Sequence, residues 1–209
     1  MTPGTTPPSD GRSRRWDRHR ELRRAHLVRE ATRAIHHAGP DIAMDEIATL
    51  AGTSKSIYYR YFTDKAALQE AIGAVVVAQM HEALAQAAGT APTPRAALRA
   101  MVDQYLTTVE ASPNVYRFVI RPGEVAADAP VRRFLPDVAA LVARPFAGEL
   151  ADDARLLEAW AVGAVGFVRG VGEWWLDLDP ADRPPRADVV DRITTWLWTG
   201  PVAALTRHR

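Results

Sequence analysis

Residues 44–68 read MDEIATLAGTSKSIYYRYFTDKAAL and contain the most informative pattern in the chain. Two short helices are predicted here, over 44–51 and 54–62, separated only by Gly52 and the following threonine. Ala48 is small enough for the two helices to cross closely, and Gly52 supplies the backbone angles of a tight turn. Apolar side chains on both helices would fix the crossing angle: Ile47, Ala51, Tyr58 and Phe62. The stretch therefore predicts a helix-turn-helix.

The second of these helices carries side chains suited to DNA. A helix-turn-helix places its second helix in the major groove, with the first turns on base edges and other side chains on phosphates. Lys55 and Ser56 lie on the first exposed turn, and Tyr59 follows one turn later. Lys65 begins a further helix capped by Asp64, where its ammonium and the free backbone N–H groups can hold a phosphate. Lys55 and Lys65 are the only lysines in the chain.

The run IATLAGTSKSIYYRYFTDKAAL resembles the DNA-binding motif of the TetR family of transcriptional regulators, which are helical dimers. The residues at the spacing of that motif are Ile47, Ala48, Ala51, Gly52, Tyr59, Phe62, Lys65 and Leu68. The resemblance implies contacts with operator DNA at Met44, Asp45, Thr53, Ser54, Lys55, Ser56, Tyr59, Arg60, Tyr61 and Lys65.

Two positions depart from the family's pattern. Ala43 stands where a threonine N-cap is common, so either Asp41 caps the helix instead or the helix begins less firmly. Tyr61 stands where histidine is commoner, which leaves a phosphate contact there plausible.

Helical periodicity continues through the rest of the chain, and no segment alternates with a period of two. We therefore predict an all-α protein with about nine helices, the first three forming the helix-turn-helix unit. Residues 1–14 are predicted to be a disordered basic tail. Residues 15–72 are predicted to form the DNA-binding domain. By the resemblance, residues 73–209 would form a larger helical domain for effector binding and dimerisation.

Composition excludes several classes of function. The 209 residues include no cysteine, which excludes disulfides and thiol catalysis. The longest uncharged run, 193–206, is too short to span a membrane, and no apolar leader follows the N-terminal charges, so a cytoplasmic protein without a membrane partner is expected. The charge is uneven, +3 over residues 1–72 and −2 over 73–209, because arginines crowd residues 12–24. Such a basic segment suits a polyanion, although it could equally be a solvated arm.

A stripe of small residues marks the helix predicted over 152–178. Gly163, Gly166 and Gly170 share one face. Each glycine costs a helix about 1 kcal/mol relative to alanine, so close approach of another helix is the expected reason. The resemblance implies a four-helix interface with a second copy of the chain, with Trp196 and Trp198 as aromatic anchors. Packing of the stripe inside its own subunit is the alternative.

The resemblance also implies a pocket for a small, largely apolar effector. Candidate lining residues on the middle helices are Met101, Tyr105, Tyr116, Phe118, Phe167 and Trp174. Each of them could instead be ordinary core. The implied function is that of a repressor that releases its operator when the effector binds.

Two other classes of protein remain open. A DNA-binding protein without an effector would show the same motif. An enzyme is disfavoured, because the sequence has no phosphate-binding glycine loop, nucleophile elbow or HExxH motif. The adjacent His36 and His37 point about 100° apart on a helix, which does not suit joint ligation of a metal. No cofactor is implied.

Overall fold

The computed structural model describes residues 11–121, 130–147 and 153–202. These residues form nine α-helices: α1 Gly11–Ala38, α2 Met44–Leu50, α3 Lys55–Tyr61, α4 Lys65–Gly89, α5 Pro94–Ala111, α6 Pro113–Ile120, α7 Pro130–Ala143, α8 Ala154–Asp177 and α9 Arg186–Leu197. A 3-10 turn, Arg144–Phe146, follows α7, and a turn kinked at Gly200 follows α9. None of the described residues forms a strand. The prediction of an all-α fold with about nine helices is confirmed.

Helix α1 begins earlier than the sequence pattern indicated. Residues 11–14, predicted to belong to the disordered tail, form its first turn. The reason is local, because prolines stop at position 8 and helix-compatible residues dominate from Arg12 onward. Side chains from Arg15 to Leu22 are exposed, and continuous burial starts at Leu27. The remaining part of the predicted tail, residues 1–10, lies outside the described residues.

Helices α1–α3 and the first half of α4 enclose one apolar core. Its fully buried members include Leu27, Ile35, Ile47, Tyr58, Phe62, Leu68 and Ile72. Three side chains of α6 complete the same core, Val115, Phe118 and Val119. The sequence placed α6 in the second domain, since nothing in its local pattern shows that it packs about 80 residues back against α1.

A second core is built from the remaining helices. The C-terminal half of α4 packs on α5, α5 also packs on α9, and α7 packs on α8. Phe146 and Trp160 meet edge to face at its centre, with ring centroids 5.0 Å apart. Helix α4 crosses the predicted domain boundary at residue 72 without a break, contributing Ile72 to the first core and Met80 to the second. Within the described residues, no helix is long and apolar enough to cross a membrane.

Candidate functional site

A hydrogen-bonded glycine turn joins α2 to α3. Gly52 has φ of 62°, and its N–H donates to the Thr49 carbonyl at 3.0 Å. The Thr53 N–H donates to the Ala48 carbonyl, also at 3.0 Å. This pair of bonds ends α2 in a Schellman motif, which requires a residue in the left-handed region at Gly52. The turn predicted from the sequence therefore has a specific hydrogen-bonded form.

The N-terminus of α2 is capped by a residue that the sequence argument did not consider. The Glu46 carboxylate accepts a hydrogen bond from the Ala43 N–H at 2.9 Å. Asp41, the predicted alternative cap, instead pairs with Arg121 beyond α6. Half of a capping box thus replaces the missing threonine.

Two aromatic side chains anchor α3 to α1. Tyr58 is fully buried, and its hydroxyl donates to the Leu27 carbonyl at 3.0 Å. Burial raises the pKa of Tyr58 to about 12. Phe62 is also buried, and the Arg24 guanidinium lies 5.2 Å from its ring centroid. These contacts fix which face of α3 is left exposed.

That exposed face carries most of the residues predicted to contact DNA. We call it the α3 face; its members are Ser54, Lys55, Ser56, Tyr59 and Arg60, all of them exposed. Tyr59 keeps 44% of its surface accessible although it is aromatic. Ser54 and Ser56 hydrogen-bond to each other through their hydroxyls at 3.0 Å. Thr53 and Tyr61, at the two ends of the helix, are half-buried.

The cation at the centre of the α3 face is already paired. Lys55 Nζ donates to Asp45 Oδ2 at 2.6 Å, and both side chains are largely exposed. This hydrogen bond to Asp45 raises the pKa of Lys55. Lys55 Nζ also lies 5.7 Å from the centroid of the Tyr59 ring. The Asp45 carboxylate therefore competes with a base or a phosphate for the Lys55 ammonium.

Two other residues of the predicted DNA-contacting set are less available. Met44 is buried in the first core, which removes its side chain from the set. It begins α2 but points inward, since residue 45 occupies the exposed side. Lys65 is half-buried and donates from Nζ to the Asp41 carbonyl at 3.3 Å, with its ammonium 5.6 Å from the Phe118 ring centroid. Its ammonium therefore lies against the first core.

An apolar cavity of about 170 Å³ lies within the larger helical unit. Side chains from α4 to α9 line it: Val76, Val77, Met80, Leu84, Leu98, Met101, Val102, Tyr105, Tyr116, Val119, Ile120, Phe134, Leu135, Val138, Val142, Ala164, Val165, Val168, Arg169 and Leu197. An engineered apolar cavity of about 150 Å³ is known to bind benzene. The cavity is therefore large enough for a compound with a single ring.

The polar groups of the cavity are concentrated at one end. The hydroxyls of Tyr105 and Tyr116 lie 2.9 Å apart. The Tyr116 hydroxyl donates to Glu173 Oε1 at 3.1 Å, and Arg169 Nε donates to the same oxygen at 2.7 Å. Burial raises the pKa of Tyr116 to about 12 and also raises the pKa of Tyr105. Both tyrosines are therefore neutral hydroxyls at ordinary pH.

A glycine positions Tyr105. A Cβ atom on Gly172 would lie 2.8 Å from Tyr105 Cε1 and 3.3 Å from the Tyr105 hydroxyl. Gly172 thus leaves the space that the tyrosine ring occupies between α5 and α8.

The six candidate lining residues divide evenly. Met101, Tyr105 and Tyr116 line the cavity. Phe118 does not, because it lies two residues, or about 200°, beyond Tyr116 on α6 and enters the first core. Phe167 and Trp174 do not either, since both lie beside a groove on the outer surface of α8 and α9. Sequence reasoning missed Arg169, although an Arg-Glu pair four residues apart in the otherwise uncharged segment 159–176 is a usable signal.

The glycine stripe of α8 faces outward. Cβ atoms on Gly163, Gly166 and Gly170 would meet nothing within 4 Å among the described residues. The buried residues of α8 lie on the opposite side: Leu157, Trp160, Ala161, Ala164, Gly172, Trp175 and Leu176. Packing of the stripe inside its own subunit, the alternative left open above, finds no support in these contacts.

The two tryptophans predicted as interface anchors point in different directions. Trp196 is 56% exposed and stacks on Phe167, with ring centroids 4.4 Å apart. Trp198 instead packs on the second core, with its ring centroid 6.1 Å from that of Phe146. The two positions are about 200° apart on a helix, so only one of them can lie on the outer face. Trp174, also exposed, lies beside Trp196.

No group of three metal-ligating side chains occurs in the part of the chain that the structure describes.

Comparisons with known proteins agree with this geometry. Residues 27–72 match the family described as bacterial regulatory proteins, tetR family, and residues 79–208 match the tetracyclin repressor-like C-terminal domain. The uncharacterized HTH-type transcriptional regulator Rv0472c of Mycobacterium tuberculosis (strain ATCC 25618 / H37Rv) is 33% identical over 94% of this chain and 85% of its own length.

Two further proteins are similar. The HTH-type transcriptional activator FasR of Mycolicibacterium smegmatis is 30% identical over 94% of this chain and 91% of its own length. The crystal structure of the transcriptional regulator FadR from Bacillus subtilis in complex with stearoyl-CoA superposes with a TM-score of 0.65 at 14% identity, covering 84% of this chain and 98% of that one. The helix-turn-helix, the helical unit behind it and these likenesses together show that the chain belongs to the TetR family of bacterial transcriptional regulators.

Proposed function

We propose that the protein is a ligand-responsive repressor that acts in the cytoplasm and binds operator DNA as a homodimer through the α3 face. The observation that carries this proposal is the α3 face itself. A buried tyrosine and a hydrogen-bonded glycine turn hold it rigidly, while every one of its five side chains is exposed and polar. Rigid placement of polar groups on a second helix is what groove recognition requires.

Within this proposal, residues 15–72 bind DNA and residues 73–209 bind the effector and form the dimer. The first turns of α3 read bases through Lys55 and Ser56. Tyr59, Arg60 and Lys65 hold phosphates. Asp45 competes with DNA for Lys55, so it weakens association with any sequence that cannot offer Lys55 a better acceptor.

The dimer would form through the outer surface of α8 and α9. Three glycines leave α8 without side chains along one line, which lets another helix approach closely. Trp174 and Trp196 are exposed beside one groove on the same outer surface, and large exposed aromatic side chains are typical of interface centres. A second copy of the same surface is the simplest partner, because a two-fold pair also matches a palindromic operator.

The effector would occupy the apolar cavity. Helix α6 offers a physical connection from the cavity to DNA, since Tyr116 and Ile120 line the cavity while Val115 and Phe118 lie in the DNA-binding core. Asn114 Nδ2 also donates to the His36 carbonyl at the end of α1, at 2.9 Å. A ligand that displaced α6 would therefore move α1 and, with it, the α3 face.

Activation of transcription is a second possibility, because FasR carries the name of an activator. The two directions differ in a reporter strain with the selected operator placed upstream of a promoter. Repression predicts higher reporter output on deletion of the gene, and activation predicts lower output.

The proposed function is tested by selecting bound fragments from a random DNA pool and measuring affinity by fluorescence anisotropy. We expect a palindromic site, and we expect the double variant Lys55→Ala and Tyr59→Phe to lose affinity for it. Arg99→Ala is the matched control, since it removes an exposed arginine of α5 that pairs with Asp191 away from the α3 face. Equal loss in the control, or no enriched site, would refute the proposed docking.

The effector role is tested with Val168→Phe, which places a larger side chain in the cavity and changes no residue of the α3 face. Single-ring apolar compounds should release the operator from the wild-type protein and leave the variant bound. Release from both proteins would place the effector elsewhere.

A further inference from the structure

The direction of each hydrogen bond at the polar end of the cavity, from donor to acceptor, restricts which ligands can bind there. Glu173 accepts from Arg169 Nε and from the Tyr116 hydroxyl. A carboxylate that is paired with a guanidinium can only accept. The Tyr116 proton is therefore committed to Glu173.

Because Tyr116 donates to Glu173, the role of the Tyr105 hydroxyl is also fixed. Tyr116 has used its single proton, so it can only accept in its 2.9 Å contact with Tyr105. The Tyr105 hydroxyl must then donate to Tyr116. Tyr105 keeps a lone pair, but it has no proton left for a ligand.

The charges at this end are balanced. Arg169 carries one positive charge and Glu173 one negative charge, at 2.7 Å. Arg169 lines the cavity, but its charge is already balanced by Glu173. A ligand carboxylate would therefore lose its hydration in an otherwise apolar cavity without gaining an unbalanced positive charge, and desolvation would oppose its binding.

We propose that the cavity selects a neutral apolar effector of about single-ring size that bears a hydroxyl group, and that this hydroxyl donates to the Tyr105 oxygen. The proposal rests on the cavity being the effector site. At Tyr105, a compound that offers only an acceptor is disfavoured, since it must take the Tyr105 proton from Tyr116 and leave that hydrogen bond unmade. The cost of one such bond corresponds to roughly a tenfold loss of affinity.

Calorimetric titration of the full chain with three matched probes tests this preference for a hydroxyl group. The probes are 4-ethylphenol, its methyl ether and 4-ethylbenzoate, which share a ring and differ in the polar group. We expect 4-ethylphenol to bind roughly tenfold more tightly than the ether, and 4-ethylbenzoate to bind most weakly.

Variants of the two tyrosines show whether the preference for the phenol depends on the direction of these hydrogen bonds or only on the shape of the cavity. In Tyr116→Phe, the Tyr105 proton loses its acceptor and turns toward the ligand, so the ether should bind more tightly than it does to the wild type. In Tyr105→Phe, the preference for the phenol should vanish with no such gain for the ether. Both variants remove only a hydroxyl group, and thermal unfolding is the control that checks whether each is folded.

The outcomes separate this inference from the proposed function. Equal binding of the phenol and the ether to the wild type would overturn the hydroxyl preference while leaving the cavity as a ligand site. An undiminished preference in Tyr116→Phe would overturn the hydrogen-bond order. Binding that persists in Val168→Phe, or no binding of any probe, would overturn both the preference and the cavity's role.

Discussion

Replacing Gly166 by leucine should change the stability of one subunit and the association of two subunits in opposite directions. A Cβ atom at this position meets nothing within 4 Å in its own subunit, so the larger side chain has room there. Glycine is about 0.8–1.0 kcal/mol less favourable than alanine within a helix, and leucine ranks close to alanine. Folding of the isolated subunit should therefore become slightly more favourable.

Association should change in the opposite direction. If the glycine stripe is the line of closest approach between two copies of α8, each copy contributes one leucine to the same narrow contact. The helices must then move apart and lose the packing along their length. We expect a folded, helical variant that is monomeric at concentrations where the wild type is dimeric, with much lower operator affinity.

Sedimentation velocity and operator titration measure both effects. Thermal unfolding adds a third measurement, because the melting temperature of a dimer rises with protein concentration and that of a monomer does not. At equal association state, about 1 kcal/mol corresponds to a rise of roughly 2–4 °C for a chain of this size.

Two control variants define what the result means. Gln86→Leu places the same side chain on an exposed face of α4 and should leave the dimer intact. Gly172→Leu lies on the inward face of α8, where a Cβ already meets Tyr105 at 2.8 Å, and should destabilise the subunit itself. A Gly166→Leu protein that stays dimeric with full operator affinity would refute the assignment of the stripe to the interface.

Four further predictions concern the DNA-binding unit. Tyr59→Phe combined with Lys65→Ala should weaken operator binding and flatten its salt dependence by about one unit of slope; unchanged affinity and slope across a salt series would contradict the phosphate contacts. Lys55→Ala should relax base preference at one position of the DNA site, which selection from a randomised site would show. Asp45→Asn should raise affinity for random DNA because it frees Lys55, and titration with non-cognate DNA measures that affinity. The pKa of Tyr58 is raised from 10.0 to about 12 in the folded state, so the unfolded state loses its proton first and stability should fall as pH rises from 10 to 12. Tyr58→Phe should reduce that fall by up to about 1.4 kcal/mol per pH unit, as followed by urea unfolding at each pH.

The helix-turn-helix could be predicted because its determinants are local. The turn depends on Gly52, and the faces of α2 and α3 follow from helical periodicity over fewer than 20 residues. The contact expected at Met44 came from the resemblance and not from periodicity, and the Met44 side chain is buried in the first core.

The cavity was only half predicted, and the reason is geometric. Tyr116 and Phe118 are both aromatic residues of α6, but because they lie two positions apart, their side chains enter different cores. Which of the two faced the cavity depended on α6 packing against α1, a contact between residues about 80 positions apart. The pairing of Tyr105 with Gly172 is likewise invisible to local pattern, because it depends on how closely α5 and α8 approach.

The sharing of α6 and α4 between the two cores has a consequence for recombination between related regulators. A chimera that exchanged residues 1–72 alone would place a foreign α1 and the foreign first turns of α4 against the resident Val115 and Phe118. The side chains that meet in the first core would then come from two different proteins and would not be matched in shape. Because α4 is unbroken across that junction, adding or deleting one residue there would rotate everything downstream by about 100°. A functional exchange of operator specificity must therefore carry α6 along with the DNA-binding unit, or be confined to the exposed side chains of α3.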